Sequence, residues 1–247
     1  MSAPGAAAAW QPAPAGIALG PGDVHVWRVP LVQPPAAIAA LAALLDGDEQ
    51  GRAARFVFDR HRDAFRVARG ALRTLAGHYL GAPPAQLGFG YRERGKPYLV
   101  APPGDLAFNV SHSGDVALIG FARGREIGVD VERKKPLSDL LALARTAFSA
   151  HEYAALCRLP AGDHDEAFFT CWSRKEAFIK ATGEGVAQLA AFDVSLAPGE
   201  PARLLRVPDA PGAPAWTLHE LPAIAGHAAA LVVAGPAAAV ACWDWPP

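Results

Sequence analysis

One short strand and one helix constrain this chain more than any other part of it. Ile127-Gly128-Val129-Asp130-Val131-Glu132 alternates apolar residues with others, as a strand does. Side chains two apart on a strand share a face, so Asp130 and Glu132 project together from an otherwise apolar element. Further along, Trp172-Ser173-Arg174-Lys175-Glu176-Ala177-Phe178-Ile179-Lys180 has good helix formers and no Gly or Pro. Trp172, Glu176, Ile179 and Lys180 fall on one stripe of that helix. Three carboxylates make a hard, oxygen-donor set suited to magnesium, and a neighbouring lysine suits a phosphate. Together they point to metal-assisted phosphoryl chemistry.

Each piece also has a plainer account. Asp130 and Glu132 read as the acidic face of an edge strand. Glu176 and Lys180 read as an i,i+4 helix pair, worth about 0.2–0.5 kcal/mol. Lys175 reads as a solvated lysine. The apolar neighbours Trp172, Phe178 and Ile179 weigh against these accounts, because charges among them are costly to bury without partners.

Composition narrows the class. The chain has 247 residues, 51% of them hydrophobic, enough for one large core or two modest ones. A formal net charge of −1 provides no global field to recruit nucleic acid or anionic membrane, and neither is expected as a partner. Cys157, Cys171 and Cys242 show no paired spacing, which fits a reducing cytoplasm and gives no zinc signature. No apolar run is long enough to span a bilayer. Residues 1–22 are rich in Ala, Pro and Gly without a basic leader, and a flexible tail is expected there.

The pattern then predicts strands at 23–29, 106–110 and 116–122, a short helix at 34–45, and a hairpin around Glu93-Arg94-Gly95. Residues 51–80 are strongly helical, with a break near His61. Ser111-His112-Ser113-Gly114 reads as the join between two strands, offering a hydroxyl, an imidazole and backbone amides to a phosphate or ribose. Arg52, Arg55, Arg62, Arg66, Arg69 and Arg73 keep rough helical spacing. They are either a solvated face or, in part, a clamp for a multiply charged anion. In the second half, helices at 137–147, 150–159 and 165–182 precede strands at 192–196, 202–207, 216–221, 228–233 and 240–243. Ser149 and Glu152 form a capping box. Leu137, Leu140, Leu141 and Ala144 make an apolar helical stripe, read as buried core or as a docking surface beside Lys134 and Lys135. Helices followed by antiparallel strands occur twice, so the class is α+β, with halves at 23–124 and 127–247.

In this order, Gly95-Lys96-Pro97, Phe108-Asn109-Val110-Ser111-His112-Ser113, Ile127 to Glu132, Phe148-Ser149-x-x-Glu152 and Trp172 to Lys180 resemble the 4′-phosphopantetheinyl transferases of the larger type, which activate peptide and polyketide synthetases. The resemblance covers roughly residues 23 to 200. It implies a pseudo-dimer of two similar α+β halves with coenzyme A in the cleft between them. The implied reaction moves phosphopantetheine from coenzyme A to a serine of an apo carrier protein and releases adenosine 3′,5′-bisphosphate. By resemblance Asp130, Glu132 and Glu176 hold magnesium, and Lys180 neutralises the same phosphates. His112 with Ser111 contacts the nucleotide at its 3′-phosphate, Arg66 matches an arginine of the first half, and Lys96 lies beside the adenine. Lys175 is placed with the coenzyme A-binding residues. Arg52 occupies one place where the family often has lysine, and Glu49 occupies the other. Glu176, or a water it orients, is the candidate base. A monomer is expected. The competing readings are a magnesium-dependent nucleotide pyrophosphohydrolase and a non-catalytic coenzyme A-binding module.

Overall fold

The computed structural model describes residues 9–208, 212, 214–236 and 238–246. The elements in chain order are β1 Gln11–Pro12, β2 Asp23–Pro30, α1 Pro35–Ala42, α2 Gly47–Ala54, α3 Asp59–Leu80, β3 Gly88–Tyr91, β4 Pro97–Ala101, β5 Leu106–Ser113, β6 Val116–Arg123 and β7 Ile127–Arg133. They continue as α4 Leu140–Ala147, α5 Ala150–Arg158, α6 His164–Thr182, β8 Asp193–Val194, β9 Leu204–Arg206, β10 Trp216–Glu220, β11 His227–Ala234 and β12 Ala239–Asp244.

Two sheets carry the fold. The first has the order β1-β12-β2-β6-β5 and the second β10-β11-β7; β3-β4 and β8-β9 are separate ribbons. Helix α3 packs its apolar face on the first sheet, around Trp27, Leu72, Phe108 and Phe121. Helix α6 packs on the second, around Phe168, Phe178, Ala230 and Val232. A third core lies between the halves, where Val24, Val26 and Leu118 meet Ile127, Val129, Val131, Leu231 and Val233. The α+β pseudo-dimer is thus two helix-on-sheet units joined through an apolar seam.

Several expectations need correction. The last strand, assigned from sequence to the second half, crosses back: β12 pairs parallel with β2, with Cys242 opposite Val26. Residues 9–22 are not a loose tail, because β1 pairs with β12, the Trp10 indole donates to the Pro222 carbonyl, and Leu19 is buried. Residues 1–8 lie outside the described residues. The helix break falls between Ala54 and Asp59, ahead of His61. Strand β5 runs on to Ser113, so Ser111 and His112 sit on a strand rather than in its turn.

The arginine helix divides into two populations. Arg69 and Arg73 face inward and pair with Glu49, which is itself buried. Arg73 also bonds Asp46 and the carbonyls of Pro84 and Leu87. Both guanidinium groups stack on the Phe89 ring, at 4.3 and 5.1 Å from its centroid. These groups tie α2 and the β3-β4 ribbon to α3 and are not available to a ligand. Glu49 therefore does not stand on a phosphate-facing surface; it caps α2 and neutralises two buried arginines.

Candidate active site

The position of α6 is set by Gly128. A Cβ there would lie 2.1 Å from the Ala177 carbonyl oxygen and 2.3 Å from the Ala181 amide nitrogen. Only a missing side chain lets the helix backbone rest on β7 at this distance. The close approach brings Glu176 and Lys180, each one residue before a contacting alanine, next to Asp130.

Lys180 reaches across rather than along its helix. Its Nζ donates to Asp130 Oδ1 at 2.6 Å and to Ser111 Oγ at 2.8 Å. The helical pair with Glu176 is not formed, and among the described residues Glu176 makes no ion pair. Asp130 is 1% exposed, and its second oxygen, Oδ2, is buried without a hydrogen-bond partner. Glu132, half-buried, takes the hydroxyl of Ser113 at 3.0 Å. Burial pushes the Glu132 carboxyl above its usual range, with the Asp130 charge next; Ser113 and Lys180 pull the other way. Burial, then Asp130, likewise raises Glu176, Lys180 opposes it, and Glu132 adds to the rise. The carboxylates are therefore near enough to repel one another. An added cation would relieve that repulsion and satisfy the orphaned Asp130 oxygen, so this oxygen-donor set fits magnesium. Among the described residues the carboxylates are not drawn together into a closed metal-binding cluster.

The opposite wall is basic. His112 points to the other face of β5 from Ser111. Partial desolvation lowers its pKa first, followed by the charges of Lys180, Arg52 and His61. Arg52 is exposed, lies 5.5 Å from the Phe65 ring centroid, and makes no ion pair among the described residues. Arg66 is half-buried and pairs with Asp63 at 3.2 Å. His61 was not singled out as a ligand from sequence, because a histidine at a helix start carries no spacing signal.

Lys96 stands where the halves meet. Its Nζ donates to Glu126 and to the Ala181 carbonyl, each at 2.8 Å. Burial lowers its pKa, and the Glu126 carboxylate opposes that shift. It lines two adjoining cavities. One, of about 270 Å³, is walled by Pro97, Asn109, Val110, Ile179 and Lys180. The other, of about 320 Å³, lies against Phe108, Arg125 and Glu126.

Two expected ligand contacts are corrected. Lys175 is fully buried, pairs with Glu152 at 2.7 Å, and donates to the Phe192 carbonyl at 2.6 Å. It holds α5 and β8 to α6 and has no surface for coenzyme A. The capping box that it reinforces forms as read from sequence, through Ser149 and Glu152. Ser111 is buried, and its hydroxyl is already used by Asp130, Lys180 and the Val131 amide. It supports the site from behind instead of contacting a nucleotide through its oxygen.

Comparison with known proteins places the chain among relatives. Residues 126–232 match the 4′-phosphopantetheinyl transferase superfamily, and residues 33–122 match the N-terminal region of 4′-phosphopantetheinyl transferase. The chain is 44% identical over 228 residues to the 4′-phosphopantetheinyl transferase HetI of Nostoc sp., covering 92% of this chain and 94% of that one. It is 35% identical to a putative 4′-phosphopantetheinyl transferase of Synechocystis sp. over 66% of this chain and 65% of that one. It is 34% identical to 4′-phosphopantetheinyl transferase Sfp of Bacillus subtilis over 56% and 62%. The two matched regions and the relative that spans nearly the whole chain show a transferase, and the chain belongs to the 4′-phosphopantetheinyl transferase family.

Proposed function

We propose that this chain transfers the 4′-phosphopantetheine arm of coenzyme A to a serine hydroxyl of an apo acyl or peptidyl carrier protein, with magnesium, and releases adenosine 3′,5′-bisphosphate. The observation that carries this reading is the polarity of the cleft. Arg52 and His61 lie near His112, Glu132 and Glu176 lie near Asp130, and Lys180 is close to both groups. Coenzyme A has a matching asymmetry, with a 3′-phosphate at one end of its nucleotide and a pyrophosphate at the other. The phosphate would lie on the basic wall, the pyrophosphate beside Lys180, and the nucleotide against Lys96.

Asp130, Glu132 and Glu176 would hold the metal, which when bound supplies positive charge to the pyrophosphate oxygens. The chain's own groups do the rest. Lys180 neutralises charge on the same phosphates in ground and transition states. The carrier serine oxygen attacks the phosphorus next to the pantetheine arm, and the bond to the bridging oxygen breaks. The serine proton passes to Glu176, or to a water it orients. No nucleophile of this chain is required.

The carrier would arrive beside β7 and α4. Leu140 and Ala144 are buried, whereas Leu141 of the same stripe is 37% exposed and Leu143, outside the stripe, 48%. The apolar stripe therefore splits between core and surface. Leu141 and Leu143, with exposed Lys135 nearby, suit an acidic carrier helix.

Release of adenosine 3′,5′-bisphosphate from coenzyme A and magnesium, followed with and without apo carrier, tests the reading. Carrier-dependent release supports it. Equal release in both arms makes the chain a pyrophosphohydrolase, and binding without release makes it a coenzyme A-binding module.

A further inference from the structure

Strand β7 pairs with β11 along one edge. Its other edge faces β5, yet β5 and β7 do not form a backbone ladder. Side chains of β5 take the ladder's place. Asn109 Oδ1 accepts from the Val129 amide at 3.0 Å, Ser111 Oγ from the Val131 amide at 3.4 Å, and Ser113 Oγ from the Arg133 amide at 3.0 Å. The period of two matches on both strands, so three successive outward amides of β7 are satisfied by three successive side chains of β5.

The two serines do more than Asn109. Each hydroxyl accepts from the amide that follows a carboxylate residue and donates to that carboxylate: Ser111 to Asp130 Oδ1 at 2.9 Å, Ser113 to Glu132 Oε2 at 3.0 Å. A hydroxyl has one proton, and the amide contact fixes where the oxygen sits, so the carboxylate is held at a set position. One unit is thus used twice along the strand.

We infer that Ser111 and Ser113 are positioning residues that set the carboxylates of Asp130 and Glu132 for cation binding, and that they do so across the seam between the two halves. The inference rests on the magnesium role given above to those carboxylates. Groups that orient metal ligands from behind typically change metal affinity or activity by about 10–100-fold when removed. Ser113 is the sharper test, because its hydroxyl makes no contact with Lys180, whereas Ser111 does.

The experiment compares Ser113→Thr with Ser113→Val, two side chains of one shape that differ in the hydroxyl. Free Mn²⁺ is followed by electron paramagnetic resonance during titration of protein with coenzyme A, against a coenzyme A blank, and coenzyme A affinity is measured separately in EDTA. Wild type and the Thr variant should bind Mn²⁺ alike. The Val variant should bind it about tenfold more weakly while retaining metal-free coenzyme A affinity. Equal Mn²⁺ binding by the Thr and Val variants overturns the inference, as does a matching loss of metal-free coenzyme A affinity. Ser113→Ala is titrated in parallel, and if the Val variant does not fold the Ala result decides by the same criteria. Wild type that binds no Mn²⁺ overturns the magnesium reading itself.

Discussion

The Ala177 carbonyl oxygen on α6 occupies the space that a Cβ on Gly128 of β7 would need, 2.1 Å from its ideal position. This contact places the lysine and glutamate of the helix against the carboxylates of the strand. Gly128→Ala should therefore lift the helix from the strand. Overpacking of this kind costs about 1–3 kcal/mol, and the upper end applies because backbone atoms cannot rotate aside. Thermal unfolding should show a clear loss of stability, with turnover falling further than stability alone explains. A variant with wild-type Tm and turnover would mean that the contact does not set the site.

Glu176→Gln should separate stability from activity. Folding raises the Glu176 pKa, so the folded protein holds the proton more tightly than the unfolded chain. Above the folded pKa the ionised carboxylate destabilises the fold; the penalty fades as pH falls through that pKa and is gone below the unfolded value. In EDTA the Gln variant should thus melt on the order of 1–3 °C higher at near-neutral pH. The gain should vanish in mild acid, and turnover should fall more than coenzyme A affinity. A lower Tm at neutral pH would contradict the like-charge account.

His112 should report the 3′-phosphate through protons. Its pKa is depressed in the free protein, and a phosphate dianion beside it would raise it. Between those two values binding takes up a proton, and affinity increases as pH falls through that window. Calorimetry of coenzyme A binding in buffers of different ionisation enthalpy should show the uptake. Binding of 3′-dephospho-coenzyme A, or binding to His112→Asn, should not. The same proton count for both ligands would remove His112 from the phosphate.

The two faces of α4 should behave oppositely. Leu140→Arg puts a charge into the core and should lower Tm by more than about 5 °C. Leu141→Arg alters only surface, so it should keep its Tm and its KM for coenzyme A while kcat/KM for the carrier drops about tenfold. Unchanged carrier kinetics in a folded Leu141 variant would place the docking surface elsewhere.

Much of this arrangement is legible in the sequence, and the misses share a physical cause. Period two on Ile127 to Glu132 and the helical stripe ending at Lys180 name the acidic wall. The same period runs from Asn109 through Ser111 and Ser113, but the two serines, beside His112 and Gly114, look like a turn when their partner is a strand distant in sequence. Burial of Lys175, Arg69 and Arg73 was likewise hidden. Whether a charged residue on a helix faces solvent or a buried partner depends on elements far along the chain, and local spacing is the same in both cases. The crossing of β12 into the first sheet is a choice of partner, which an alternating apolar strand does not encode.

The most direct test of the central claim is the intact mass of an apo carrier protein after incubation with coenzyme A, magnesium and this chain. Wild type should add one phosphopantetheine, localised to a serine by fragmentation. Asp130→Asn, which keeps the shape of the side chain and loses its charge, should slow that addition by at least about a hundredfold. A carrier whose mass stays unchanged with folded wild-type protein, or an Asp130 variant as fast as wild type, would contradict the account.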